Sequence, residues 1–221
     1  MTRYLGHIRW AEAELGIRIL TPEYEVTSIL FDVARITPLE MRHSFSGSDA
    51  SFFKILKSLE ARDVVCAEPN PTDGRSKLYR LSNHASSVLS RQWSEYKKIG
   101  PSKAYQSGDH GQVMHNYSKT LTGILGVRQF TSEFQILMYV YSCPGLASVK
   151  FQNLVSVSQA KMNMSIRALS NAGSIYHTAD TADGRRKLYY LPERNSDIIS
   201  ELTTRIFLWL DSKPRAIAAA Q

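Results

Sequence analysis

The chain has little cysteine. Cys66 and Cys143 are the only two among 221 residues, far apart and in no Cys-x-x-Cys pattern, which excludes a disulfide scaffold and a cysteine-rich zinc site. The six histidines are scattered and none stands at a metal-ligand spacing, so no metal is expected. No apolar run reaches the roughly 18 residues that a bilayer-spanning helix needs. The opening "MTRYLGHIRWAEAELGIRIL" carries two glutamates where a signal peptide has an unbroken apolar core. The chain is therefore read as cytoplasmic. A Gly-rich phosphate loop is missing and no nucleophile stands beside a recognisable base, while the serine-rich stretches read as helix caps and loops. Neither an enzymatic activity nor a cofactor is expected.

What is present is basic. Lys and Arg number 27 against 20 Asp and Glu, a formal charge of +7, in a chain that is 43% hydrophobic and 10% aromatic. The composition is that of an ordinary globular protein. The charge favours a polyanionic partner, nucleic acid first and an anionic membrane surface second.

The chain also repeats itself. "NPTDGRSKLYRLS" from Asn70 returns as "DTADGRRKLYYLP" from Asp180. At that offset of 110, from Asp73 to Asp183, the match extends upstream without a gap. Glu23 falls on Glu133, Tyr24 on Phe134, Val26 on Ile136, Ser46, Ser48 and Ala50 on Ser156, Ser158 and Ala160, and Leu59 on Leu169. Two copies of so long a period mean a duplicated domain rather than a solenoid.

Each copy reads as three helices and a hairpin. In the first, Thr21 caps a helix with Val26, Ile29, Leu30 and Val33 at helical spacing, and Thr37-Pro38 starts a short second one. Ser48 caps a third with Phe52, Ile55, Leu56 and Leu59 on one face. "VVCAEP" and "SKLYRLS" form a hairpin around Pro69, Pro71 and Gly74. In the second copy "TSEFQILMYVYSC", "LASVKFQNLV" and "SQAKMNMSIRALSNAG" are the helices, and "SIYHTA" and "RKLYYLP" flank the turn. Helical segments precede each copy (3–18 and 111–127) and follow it (86–98 and 196–210). The fold class is mainly α with small β-hairpins, as tandem winged helix-turn-helix domains over residues 1–98 and 111–221, with 99–110 as the linker.

The stretch "SDASFFKILKSLEARDVVCAEPNPTDGRSKLYRLS" resembles the recognition helix and wing of the MarR family of transcriptional regulators. The resemblance rests on Ser51, the Leu59-Glu60 pair and the wing Asp73, Arg75, Lys77; the second copy keeps Asp183, Arg185 and Lys187 but follows Leu169 with Ser170. It implies a pseudo-twofold molecule like a MarR dimer fused in one chain, acting as a monomeric pseudo-dimer or as a homodimer. It also implies double-stranded DNA as partner. Members of that family respond to small phenolic ligands or to thiol oxidation, and the residues here name no effector. Arg75 and Arg185 are expected to enter the minor groove, where Arg outperforms Lys, oriented by Asp73 and Asp183. Arg186, Lys77 and Lys187 add wing charge. On the third helices, removing the core stripe leaves Ala50, Ser51, Phe53, Lys54 and Lys57 in one copy and Gln159, Lys161, Asn163, Met164 and Arg167 in the other. Ser51, Lys54, Lys57, Lys161, Asn163 and Arg167 are the expected phosphate and base contacts in adjacent major grooves. The alternative function is a plasmid or phage replication initiator, a class that also uses tandem winged helices.

Overall fold

The computed structural model describes residues 3–107, 110–155 and 157–212. Helix α1 (Arg3–Leu15) is followed by α2 (Pro22–Asp32), α3 (Pro38–Ser44), α4 (Asp49–Ala61), the hairpin β1 (Val65–Asn70) and β2 (Asp73–Leu81), and α5 (Asn83–Ser107). Then come α6 (His110–Leu125), α7 (Ser132–Ser142), β3 (Leu146–Ala147), α8 (Ser148–Leu154), α9 (Gln159–Asn171), β4 (Tyr176–Ala179), β5 (Lys187–Tyr190) and α10 (Glu193–Ser212). The molecule is thus mainly helical with two small antiparallel sheets, and a helix-helix-helix-hairpin order runs twice along it.

The caps explain the boundaries. Thr21, Thr37 and Ser48 each accept a hydrogen bond from the backbone N–H three residues on, at the starts of α2, α3 and α4. Thr37 and Glu40 close a reciprocal capping box, and the bonds from the Thr37 side chain and backbone hold the Glu40 carboxyl below its ordinary range. Thr131 and Ser158 do the same for α7 and α9. Ala147, at the place of Thr37, has no such side chain, and α8 starts uncapped. Leu146 and Ala147, expected as helix, instead pair with Tyr189 and Leu188 of β5; the counterpart in the first half is a single bridge, Ile36 to Tyr79. Gly16 and Gly126 end α1 and α6 at φ of +66° and +65°, a conformation that other residues adopt at a cost.

One hydrophobic core runs through both halves. Phe52, Leu56 and Leu59 of α4 and Met162, Ile166 and Leu169 of α9 are buried in it. The halves meet edge to edge at Leu20 and Phe130, which form an antiparallel bridge. The Thr21 amide donates to the Gln129 carbonyl (3.0 Å) and the Thr131 amide to the Ile19 carbonyl (2.9 Å). The Thr21 hydroxyl donates to the Arg128 carbonyl, and the Thr131 hydroxyl to that of Arg18. Each contact has its partner at the same offset of 110. Behind this seam α1 packs on α10 and α5 on α6. Tyr4, Trp93 and Trp209 lie at mutual ring distances of 5.0–5.3 Å, so the tryptophans and Tyr96 and Phe207 are buried fillers of this layer.

The stretch expected as a linker is helical through Ser107. Lys103, Ala104 and Gln106 are good helix formers, and α5 continues across Gly100-Pro101. Residues 108–109 and 213–221, together with Ser156 of the repeat, lie outside the described residues.

Candidate nucleic-acid interface

The two third helices expose the side chains that the core does not use. On α4, Ala50, Phe53, Lys54 and Lys57 are exposed, as is Ser51 at least in part; on α9, Gln159, Lys161, Asn163, Met164 and Arg167 are all exposed. Among the described residues no carboxylate lies within ion-pairing distance of Lys54, Lys57, Arg75, Lys77, Arg167 or Lys187. Elsewhere some cations are matched, Arg35 and Arg80 to Glu68, Arg62 to Glu23, Arg194 to Glu14 and Arg205 to Glu201, while Arg91, Lys119 and Lys150 also lack a carboxylate among the described residues.

Lys161 departs from this pattern. Its ammonium sits 3.1 Å from a Glu133 oxygen that also accepts from the Ser165 hydroxyl at 2.7 Å. Burial raises the Glu133 pKa. Hydrogen bonds from Ser165, its own backbone amide, Lys161 and Ser132 outweigh it and hold the carboxyl below its ordinary range. Gln159 donates to Asn163 at 3.0 Å, so the amide oxygen of Asn163 is already engaged.

The hairpins differ in how their aspartates are used. In the second, the loop from Asp180 to Arg186 is closed by Asp180 N–H to the Arg186 carbonyl (3.0 Å) and Arg186 N–H to the Asp183 carbonyl (2.8 Å). There Asp183 accepts the Arg185 amide and Nε at 3.2 and 3.3 Å and faces Arg186 Nε at 3.3 Å. In the first, the Asp73 carboxylate accepts the Arg75 backbone amide at 3.1 Å and its carbonyl accepts the Ser76 hydroxyl at 3.1 Å. The expected Asp73–Arg75 side-chain pair does not form. The β-ladder there runs on to an Asn70–Asp73 pairing, and Asn70 braces the tip through Thr72 and Ser76. That geometry turns the Asp73 carboxylate onto the backbone and leaves the Arg75 guanidinium in solvent.

Between α4 and α9 lies an open cleft of about 630 Å³, lined by Ile55 and Lys161 of those helices, by Thr21 and Thr131, and by Arg128. Arg128 lies on neither a third helix nor a hairpin, so no motif singles it out. The available signal was the repeat itself: Arg128 is the counterpart of Arg18. Arg18 is clamped by Glu12 and Glu25, whereas Arg128 is exposed and has no carboxylate partner among the described residues.

No family profile and no curated protein sequence matches the chain. Among solved structures it is similar to MarR from E. coli in the apo form, at 19% identity and TM-score 0.32 over 55% of this chain and 78% of that one. It is similar to a mutant MarR from E. coli complexed with operator DNA at 19% identity and TM-score 0.31, over 56% and 80%. It is also similar to BpsR from Bordetella bronchiseptica, whose DNA binding is regulated by 6-hydroxynicotinic acid, at 10% identity and TM-score 0.31, over 76% and 86%. No helix among the described residues is long and apolar enough to cross a membrane.

Proposed function

We propose that the chain is a sequence-specific, double-stranded DNA-binding transcriptional regulator, a pseudo-dimer of two winged-helix halves, residues 1–98 and 111–221. In this reading α4 and α9 enter adjacent major grooves. Arg75 and Arg185 reach the minor grooves on either side. The reciprocal bonds across Leu20 and Phe130 support the pseudo-twofold arrangement. The observation that carries the proposal is charge: Lys54, Lys57, Arg75, Lys77, Arg167 and Lys187 stand without carboxylates on the third helices and hairpins. Uncompensated cations on two exposed helices and two hairpin tips match a polyphosphate backbone.

The test is affinity for duplex DNA against salt. If the five of these cations other than Arg75 meet phosphates, log K falls with log salt at a slope of about −4.5. Undetectable binding to any genomic fragment at low salt would overturn the reading. Footprinting across a genome then separates the roles. Peaks at promoters identify a regulator, and repeated sites at an origin identify a replication initiator.

A further inference from the structure

Phe53 is an exposed aromatic ring in the middle of a cationic face. It is 55% exposed, one turn past the Ser48 cap, with Lys54 beside it and Lys57 one turn on. A lone exposed apolar side chain is ordinary on a protein surface, but this ring is held in place. Its centroid lies 5.1 Å from that of Phe52 in an edge-to-face arrangement at 73°. Phe52 is itself 0% exposed and packs 5.5 Å from Phe45. Phe45 in turn fills the space above Gly47, where an added Cβ would stand 2.5 Å from the ring. A chain of rings thus backs an apolar edge that faces solvent. The counterpart position on α9 is Asn163, a polar amide bonded to Gln159.

We propose that Phe53 reads the C5-methyl group of a pyrimidine in the major groove under α4. The proposal rests on the DNA-binding reading above. The major groove offers one apolar group, the methyl on C5 of thymine, which 5-methylcytosine also carries, and apolar side chains recognise it by contact. N-terminal residues of a recognition helix are those that reach base edges. The lysines beside Phe53 bring the ring to the groove by drawing the helix onto the phosphates. Because the α9 counterpart is an amide, the two half-sites differ, and the preferred duplex has a direction.

The experiment uses the full chain and a duplex selected by it from a random library. Each thymine in turn is replaced by deoxyuridine, which removes only the methyl, and each cytosine by 5-methylcytosine. One position in one half-site is expected to lose about fourfold in affinity on deoxyuridine substitution, the worth of one buried methyl-sized group, or to gain that much on cytosine methylation. The first outcome identifies thymine and the second 5-methylcytosine. In Phe53→Ala that sensitivity disappears, while Phe53→Leu keeps part of it; circular dichroism confirms the fold of both. Selected duplexes with no methyl-sensitive position, or sensitivity unchanged in Phe53→Ala, would overturn the proposal while leaving DNA binding intact. Failure to select any duplex would instead overturn the reading on which it rests.

Discussion

Glu25 shows how one side chain ties the helical layer to the turn before α4. It is 1% exposed, and its carboxylate takes Arg9 from α1, Arg18 from the following loop at 2.8 Å, and both the amide and hydroxyl of Ser46 at 2.8 and 2.9 Å. Ser46 lies in the turn that leads into α4. Removing the carboxylate leaves Arg9 and Arg18 with Glu12 alone and strands the Ser46 amide. Glu25→Ala is expected to cost about 3 kcal/mol, the low end for breaking a buried ion pair, because Arg18 is 41% exposed. The melting temperature should fall by about 6–12 °C; an unchanged melting curve would show that the network contributes nothing. The counterpart position is Gln135, which donates instead to the Phe130 carbonyl, so the first half alone depends on this charge. Glu133 acts in the opposite sense, by restraining an exposed cation of α9. Its depressed pKa keeps it ionised at neutral pH, and its contribution to folding is lost only as pH falls through and below the ordinary carboxylate range. Glu133→Gln should free Lys161, tighten binding to duplex DNA and steepen the salt slope by about one. An unchanged slope would remove Lys161 from the interface.

At the scale of elements, the hairpins and third helices were largely legible in the sequence. The apolar stripe assigned Phe52, Ile55, Leu56 and Leu59 to the core and left Lys54 and Lys57 outside; the structure buries Phe52, Leu56 and Leu59, while Ile55 is half-buried and lines the open cleft. Thr21 and Ser48 announced their helices because a cap is a local hydrogen bond. What was not legible depends on contacts made elsewhere in the chain. Leu146 and Ala147 look helical alone but are claimed by β5. The same Asp-x-Arg motif also resolves into two geometries, because Asn70 in one copy and Asp180 in the other brace the turn differently. This difference bears on function. Arg75 is free and Arg185 is shared with Asp183, although Arg185 remains 94% exposed. Arg75→Ala and Arg185→Ala are each expected to weaken specific binding by about 1–3 kcal/mol with the fold retained. Asp183→Ala should disorder the second tip without touching the first. Wild-type affinity in the Arg75→Ala, Arg185→Ala double mutant would remove the hairpins from the DNA contact.

For the molecule as a whole, the seam at Leu20 and Phe130 and the Tyr4, Trp93 and Trp209 rings mean that neither half covers its own apolar faces. Residues 1–98 alone should self-associate, because the strand edge at Leu20 and the faces of α1 and α5 are bared. Sedimentation of that fragment as a stable folded monomer would contradict this. The fragment should also bind DNA more weakly than the full chain, since the second reader no longer acts at a raised local concentration. The seam has one more consequence, for how the protein behaves in a cell that makes few copies of it. A pairing between separate subunits weakens as the solution is diluted, whereas a pairing within one chain does not. Bonds such as Thr21 to Gln129 and Thr131 to Ile19 therefore hold the two halves at a fixed spacing even when a single molecule is present.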